Sequence, residues 1–157
     1  MASIDKIKKL RELTGAGIAD CRMALEQTLD DTEKALEVLK IKGLEKADKK
    51  ADRLTGQGKV FSYVHSTGKV GVVVSLLCET DFVAKTQEFN NLGKEICLQI
   101  ASMSPETVEG LLTQEYIRDP KLSIRDLVKS VAGKVGENIV VTRLARFAVG
   151  ESSTPQA

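Results

Sequence analysis

The sequence has no tryptophan, one histidine and only 4% aromatic residues among its 157 positions. Nucleophilic catalysis by a Ser-His or Cys-His couple therefore has one candidate base, His65, which falls in a predicted hairpin strand and is expected at the surface. A Cys-x-x-Cys pair and a histidine cluster, the common ligand sets of zinc, are also missing. We expect no catalytic residue, no metal site and no cofactor.

A phosphate-binding loop is missing as well. Residues 56–59, Gly-Gln-Gly-Lys, place two glycines before a lysine. The spacing differs from that of a phosphate loop, in which four residues separate the glycines and Ser or Thr follows the lysine. The chain is therefore expected not to hydrolyse nucleotide.

Long hydrophobic runs and an excess of one charge are absent too. No segment approaches the roughly 18 apolar residues of a membrane span, and residues 1–6 lack the apolar stretch of a signal peptide. The net charge is +1 with 29% charged residues, which gives no electrostatic case for nucleic acid or an anionic membrane as the main partner. A protein partner is the better default, and we expect a cytoplasmic location.

The cysteines do not indicate a disulfide framework. Cys21, Cys78 and Cys97 are an odd number, lie far apart and each have apolar neighbours. This pattern is typical of small buried thiols in a reducing compartment.

The N-terminal region is predicted to form three short helices. A glycine turn at residues 14–17 separates the first two, Asp30 with Glu33 forms a capping box for the third, and Gly43 ends it. The apolar positions at helical spacing are Ile4, Ile7, Leu10 and Leu13, then Ile18, Cys21, Ala24, Leu25 and Leu29, then Ala35, Leu36 and Leu39.

Residues 44–53 are predicted to be a helical connector rich in Lys and Ala. Their basic side chains form a candidate RNA-binding stripe, but acidic residues interleave with them, which favours an ordinary solvated face. The basic residues are Lys46, Lys49, Lys50 and Arg53, and the acidic ones are Glu45, Asp48 and Asp52.

A hairpin should follow, with strands over residues 60–65 and 70–79 joined by a turn at Thr67-Gly68. One face of the second strand is apolar and predicted to be core, with Val70, Val72, Val74, Leu76 and Cys78. The opposite face carries Val73 and Leu77, so a helix, a partner or a second copy of the chain must cover it.

The remaining sequence predicts two more helices and a third strand. One helix ends near residues 103–105, a looser stretch runs to residue 120, and Ser123 with Asp126 caps a helix that ends at Gly136. A β-branched strand covers residues 139–149. The expected fold is α+β, with a three-helix domain and connector (1–54), a core domain with a three-stranded antiparallel sheet and helices (55–150), and a disordered tail (151–157).

Residues 80–85, Thr-Asp-Phe-Val-Ala-Lys, lie where the second strand gives way to a helix; we call them the junction. An acid and an aromatic side by side in such a polar corner, here Asp81 and Phe82, are suited to contact another molecule. The alternative is that Phe82 covers the protein's own core while Asp81 or Thr80 caps the helix. Chemistry alone leaves both interpretations open.

Residues 78–85 resemble the second signature of the elongation factor Ts family, whose members expel GDP from elongation factor Tu during translation. Residues 10–21 resemble the family's N-terminal signature, and residues 136–139, Gly-Glu-Asn-Ile, resemble its third recurring block. The three blocks follow the family's order and span almost the whole chain. The chain departs from the family at Arg22-Met23, where Lys-Lys is usual, and at Ser75 and Leu77, where Glu and Asn are usual.

The resemblance implies a guanine nucleotide exchange factor without covalent chemistry, whose partner is elongation factor Tu in its GDP-bound and nucleotide-free forms. It implies an N-terminal bundle of the ubiquitin-associated type. Phe82 is expected to enter an apolar slot on the partner, while Asp81, with its neighbours Thr80 and Val83, disturbs the Mg²⁺ site. Further implied contacts on the bundle are Arg11, Ile18, Ala19 and Asp20.

Compared with longer family members, the chain should carry one copy of the core domain, with an unusually short segment between Met103 and Leu111. Self-association into a homodimer is a hypothesis that this comparison raises. Two other classes of function stay open. One is an RNA- or ribosome-associated binding module that uses the connector. The other is a ubiquitin-like adaptor, which leaves the junction without a role.

Overall fold

The computed structural model describes residues 2–151, so the predicted disorder of the tail falls, from residue 152 onward, outside the described residues. Within the described part, helices and strands are mixed and the predicted α+β class is confirmed. The elements are α1 Ile4–Thr14, α2 Ile18–Gln27, α3 Thr32–Lys49, β1 Gln57–Val64, β2 Val70–Cys78, α4 Asp81–Ala84, α5 Gln87–Met103, α6 Val108–Thr113, β3 Glu115–Tyr116, β4 Asp119–Ser123, α7 Ile124–Val135 and β5 Val140–Ala148.

Helices α1 to α3 enclose a small core of their own, formed by Leu10, Cys21, Ala24, Leu25, Ala35 and Leu39. The turn between α1 and α2 needs glycine, because Gly15 has a φ of 68°, a left-handed conformation that other residues rarely adopt. The Gly15 N–H donates to the carbonyl of Arg11 at 2.8 Å and so ends α1.

The start of α3 differs from the prediction. The N-cap is Asp31, not Asp30: the Asp31 carboxylate accepts hydrogen bonds from the N–H groups of Glu33 (3.1 Å) and Lys34 (3.2 Å). Asp30 and Leu29 both have positive φ, at 68° and 52°. This left-handed turn takes Leu29 out of the α2 pattern and leaves its side chain 92% exposed, so Leu29 is not part of the core.

Gly43 does not end α3, which continues to Lys49 and so absorbs most of the predicted connector. The backbone of α3 at Gly43 lies against α7. A Cβ atom added to Gly133 in α7 would lie 2.5 Å from the carbonyl oxygen of Gly43, whereas a Cβ added to Gly43 would meet nothing within 4 Å. The close crossing therefore requires glycine at position 133 and not at position 43.

The sheet has the order β1-β2-β5, with both pairs antiparallel. The predicted core face of β2 is confirmed at Val72, Val74, Leu76 and Cys78, which are buried, whereas Val70 at the start of the strand is only half-buried. Helix α5 covers this face with Phe89, Leu92, Ile96 and Ile100. Gly93 of α5 makes room for the ring of Phe61, because a Cβ there would lie 2.4 Å from ring atoms.

The stretch predicted to be loose contains α6 and the β3-β4 hairpin. The buried Gln99 of α5 fixes this hairpin: its Nε2 donates to the Glu115 carbonyl at 3.0 Å, and its Oε1 accepts from the Ile117 N–H at 3.0 Å. Helix α7 begins and ends as predicted. Ser123 Oγ accepts from the Asp126 N–H at 3.1 Å, and Gly136 closes the helix with a φ of 79°.

Contacts between α3, α7 and the loops around them attach the bundle to the core domain. Lys129 Nζ lies 2.7 Å from an Asp48 carboxylate oxygen, and Lys50 Nζ donates to the Gly136 carbonyl at 3.0 Å. Ala47 of α3 belongs to the larger core. Among residues 2–151, no helix has both the length and the apolar character needed to cross a membrane.

The crossing predicts opposite effects for two alanine substitutions. Gly133→Ala should lower the free energy of unfolding by about 1–2 kcal/mol, because the cost of overpacking exceeds the gain in helix propensity. Gly43→Ala adds a methyl group with nothing within 4 Å and should be neutral or stabilising by up to about 1 kcal/mol. Urea unfolding of both variants measures the difference, and equal stability of the two would contradict the close contact.

Candidate partner-binding site

Two successive caps define the junction. Thr80 is the N-cap of α4, with its hydroxyl accepting from the Val83 N–H at 3.4 Å, and Thr86 caps α5 by accepting from the Phe89 N–H at 3.3 Å. The Asn90 side chain donates to the carbonyls of Ala84 and Thr86, at 3.0 and 2.7 Å, which satisfies the acceptors of this tight corner. The four-residue helix α4 is therefore held at both ends.

The two faces of α4 differ sharply. Phe82 is 78% exposed, whereas Val83 is only 8% exposed and packs with Ala84 in the larger core. Asp81 is exposed and its only ion pair among the described residues is with Lys85, one turn on, at 3.2 Å. The alternative in which Phe82 covers the protein's own core is therefore wrong, although Thr80 does cap the helix.

Val83 also differs from its expected role. Its side chain is part of the protein's own core and is not presented to a partner. Burying it fixes α4 against the sheet, and the residue before it then points outward. Val83 thus belongs to the support of the site, while Asp81 and Phe82 form its surface.

A hydrogen-bond network that the sequence reasoning missed lies beneath the junction. One oxygen of Glu137 accepts from the N–H groups of Glu79 (3.1 Å) and Thr80 (2.9 Å), and the other accepts from the Thr80 hydroxyl (2.7 Å). In return, the Glu79 carboxylate accepts from the Asn138 N–H at 2.8 Å. We call Glu79, Thr80, Glu137 and Asn138 the junction network.

The junction network also reaches the end of the connector. The Asn138 side chain donates to the carbonyls of Ala51 (3.1 Å) and Arg53 (2.9 Å), and an Arg53 guanidinium nitrogen lies 3.7 Å from a Glu79 oxygen. The sequence singled out residues 136–139 as a block but gave them no role. Their partners are more than fifty residues away, so only the fold brings them together.

On the bundle, the expected contact residues divide into free and paired side chains. Arg11 and Ala19 are exposed, and Ile18 is 60% exposed. Asp20 lies in the first turn of α2 and forms ion pairs with Lys46 at 2.8 Å and Lys42 at 3.7 Å. The hydrogen bond from Lys46, with the charges of both lysines, holds the pKa of the Asp20 carboxyl below its ordinary value.

An open groove of about 340 Å³ separates the bundle from the junction. Arg11 lines it from the bundle, and Val83 lines it from α4. The other groove residues are Glu12, Gly15, Thr86, Glu88, Lys134 and Val135. The structure thus brings one N-terminal site residue next to the junction, whereas Ile18, Ala19 and Asp20 lie outside this groove.

The reactive side chains do not form a chemical site. All three cysteines are free thiols in buried positions, as predicted, and burial raises the pKa of the Cys97 thiol to about 11. His65 is exposed, with its Nδ1 2.8 Å from the Tyr63 hydroxyl. Across residues 2–151, no group of His, Cys, Asp and Glu side chains is arranged to hold a metal ion.

The structure combines a helical bundle, an α+β core and an exposed aromatic ring, Phe82, at a supported corner. Comparison with known proteins gives the class of protein. The family model described as elongation factor TS matches residues 79–156. The chain belongs to the elongation factor Ts family and has the role of a translation elongation factor.

Individual relatives match along nearly their whole length. Elongation factor Ts of Thermoanaerobacter sp. (strain X514) is 41% identical over 196 positions, which cover 96% of each chain. Elongation factor Ts of Leptospira biflexa is 44% identical over 193 positions, covering 94% of this chain and 98% of the relative. These alignments are longer than the 157 residues here, so the relatives have residues opposite gaps in this chain. Whether the gap falls between Met103 and Leu111 stays a prediction.

The Asp20 ion pairs predict a pH-dependent stability. A carboxyl whose pKa is lowered by folding stabilises the protein above its ordinary pKa, here 3.8, and that contribution is lost as the pH falls through the folded-state value. Asp20→Asn should therefore be less stable than the unaltered protein near neutral pH, and the difference should close below 3.8. Urea unfolding at a series of pH values tests this, with the exposed Asp52→Asn as a control for lost surface charge.

Proposed function

We propose that the protein binds elongation factor Tu·GDP in the cytoplasm and accelerates the release of GDP, so that GTP can bind. The observation that carries this proposal is the outward position of Phe82 on a corner held by caps, core packing and the junction network. A family of translation elongation factors supplies the class of partner. The activity is nucleotide exchange and involves no covalent chemistry.

The mechanism is a competition between two bound states of the partner. GDP is held by a phosphate-cradling loop and a Mg²⁺ ion, so a factor speeds its release by stabilising the arrangement in which loop and metal are disordered. By linkage, GDP weakens binding of the factor by the same ratio by which the factor weakens binding of GDP. We call the arrangement of the partner with loop and metal disordered the open form, and the GDP-bound arrangement the closed form. The protein needs only a surface that binds the open form more tightly than the closed form.

The junction provides this surface. The Phe82 ring enters an apolar slot on the partner, and the adjacent Asp81 carboxylate, together with Thr80, disturbs the ligands of Mg²⁺. Val83 acts from below by anchoring α4 in the core. The exposed ring suits insertion because it becomes buried only when the partner binds. Burying one Phe side chain is worth roughly 1.5–3 kcal/mol, or about ten- to two-hundredfold in affinity.

One ring is not enough to displace a tightly held nucleotide, so other contacts must keep it in place. Arg11, Ile18 and Ala19 are exposed on the bundle and fill this role. Asp20 contributes through its ion pairs with α3, which fix the start of α2. Since the bundle is attached to the core through α3 and α7, these residues and Phe82 reach the partner as one surface.

The alternative, an RNA- or ribosome-associated module using the connector, has less support. Two of its three lysines are engaged within the chain: Lys46 with Asp20, and Lys50 with the Gly136 carbonyl. Arg53 is paired with Glu79. Phosphate binding would have to break these contacts. A steep dependence of RNA affinity on salt concentration would favour the alternative.

The outer face of the sheet supports a homodimer. Residues that alternate with the core positions form three rows across the strands: Val60, Ser75 and Arg143; Ser62, Val73 and Ala145; Val64, Gly71 and Phe147. Arg143 is the charged member of a face that includes a 75% exposed Phe147. A second copy offers an equally apolar face, and two such sheets pack well at about 10 Å.

Phe82→Ala should slow GDP release from elongation factor Tu roughly tenfold or more, because the variant loses the insertion that stabilises the open form. Loss of fluorescence from labelled GDP preloaded on elongation factor Tu measures the rate. The variant should unfold like the unaltered protein, since the ring makes no core contact.

Phe147→Ala is the matched control, because it removes an equally exposed ring from β5. It should retain most of the exchange activity. An unchanged rate with a folded Phe82→Ala variant, or an equal loss with Phe147→Ala, would contradict the role of the junction.

Phe147→Asp should convert a dimer into a monomer. The substitution adds a second charge, beside Arg143, to the outer sheet face, and burying this carboxylate against the second copy costs free energy. Light scattering should give twice the mass of one chain for the unaltered protein and for Phe82→Ala. A monomeric unaltered protein at high micromolar concentration would contradict the dimer.

A further inference from the structure

The Glu137 carboxylate accepts hydrogen bonds from backbone N–H groups that lie just beyond the paired part of β2. The register of β2 with β5 ends at Leu77 and Val140, and that with β1 ends at Cys78, so the N–H groups of the two residues that precede α4, Glu79 and Thr80, lie beyond the strand pairing. Glu137 Oε1 accepts from both, at 3.1 Å for Glu79 and 2.9 Å for Thr80. Hydrogen bonds to a charged acceptor are stronger than those between neutral groups, so the carboxylate holds these two residues in place where the strand pairing has ended.

Thr80 links this carboxylate to α4. Its hydroxyl donates to Glu137 Oε2 at 2.7 Å and accepts from the Val83 N–H at 3.4 Å. The bond to Glu137 therefore fixes the orientation of the Thr80 hydroxyl, whose oxygen accepts the hydrogen bond that caps α4. Any rotation of the Thr80 side chain breaks both bonds, and the first turn of α4 carries Asp81 and Phe82.

The geometry points to Glu137 as a positioning residue for nucleotide exchange: it sets the direction of the Phe82 ring through Thr80 and does not contact the partner itself. This inference rests on the proposed function. It also explains how the ring keeps its place relative to the bundle. The neighbouring Asn138 bonds to the carbonyls of Ala51 and Arg53, so one turn of chain holds both the junction and the end of the connector.

The supporting core does not depend on Glu137. Val83 and Ala84 are buried in the larger core with residues of the sheet and α5, and Glu137 is not a member of that core. Loss of Glu137 should therefore loosen the start of α4 without unfolding the protein. This separates a positioning role from a general loss of stability.

Hydrogen exchange of the free protein tests the first half of the inference. In Glu137→Ala the amides of Glu79 and Thr80 should exchange roughly tenfold faster or more, because they lose their acceptor, while amides within α2 keep their rates. Glu109→Ala is the control, since it removes a carboxylate that pairs with Arg125 on the exposed side of α7. Unchanged rates at Glu79 and Thr80 in Glu137→Ala would overturn the inference.

The exchange assay tests the second half. Glu137→Ala should slow GDP release roughly fivefold or more, and Glu109→Ala should not. Glu137→Gln should slow release to a smaller extent, because its amide oxygen still accepts from both N–H groups but its NH₂ group cannot accept from the Thr80 hydroxyl. In a Phe82→Ala background, Glu137→Ala should cause a much smaller loss, because only the positions of Asp81 and Thr80 are then left to change. A further loss of equal size in that background would show a separate role and overturn the inference.

The two halves also separate this inference from the proposed function. If the unaltered protein does not accelerate GDP release, the proposed function fails and the positioning role in nucleotide exchange fails with it. The hydrogen-exchange result still decides whether Glu137 holds the junction. If Phe82→Ala slows release and Glu137→Ala does not, the proposed function stands and the positioning role is wrong.

Discussion

The contact between α3 and α7 at Gly43 and Gly133 is the constraint on which the rest of the molecule depends. The two backbones approach closely there because Gly133 carries no side chain at the point of contact, where a Cβ would lie 2.5 Å from the Gly43 carbonyl oxygen. A second small residue, Gly15, lets the turn of the bundle approach Lys134 at the end of the same helix. The three-helix bundle, whose core is small, is thereby fixed to a larger one. Gly15 and Lys134, which meet in this contact, also line the groove between Arg11 and Val83.

The junction shows how a very short helix is made to hold a ring in water. Four residues form too little helix to be stable alone, since helix nucleation is unfavourable. The support comes from outside α4: Thr80 and Thr86 cap the successive helices, Val83 is buried in the core, and Glu137 anchors the residues before it. Exposing Phe82 forgoes burial energy within the chain. That energy becomes available to a complex, which is what binding without covalent chemistry requires.

Local patterns predicted local structure well and tertiary contacts poorly. The periodic helices, the core face of β2 and the Ser123 cap follow from neighbouring residues, and the structure has them. Gly43 was misassigned because a single glycine can end a helix or be tolerated within one, and α3 continues through it to Lys49. Leu29 fits a helical period, but two left-handed residues remove it from α2. The β3-β4 hairpin depends on Gln99, and the junction network on Glu137, and each of these side chains acts on residues distant in the sequence. The signature residues could be found because they are contiguous in the sequence. The side chains that support them, such as Glu137, could not, because only the fold brings them together.

Two of the phenylalanines contribute to the protein's own core, and two lie on its surface. Of its four phenylalanines, Phe61 and Phe89 pack against each other in the core, with ring centroids 5.8 Å apart. Phe82 and Phe147 are both largely exposed, on α4 and on the outer face of β5. In a chain with so few aromatics, placing half of the phenylalanines in water is costly unless each meets another surface. The two rings belong to separate elements and share no neighbours in the sheet register. The proposed exchange through the junction and the proposed self-association through the sheet therefore draw on different residues.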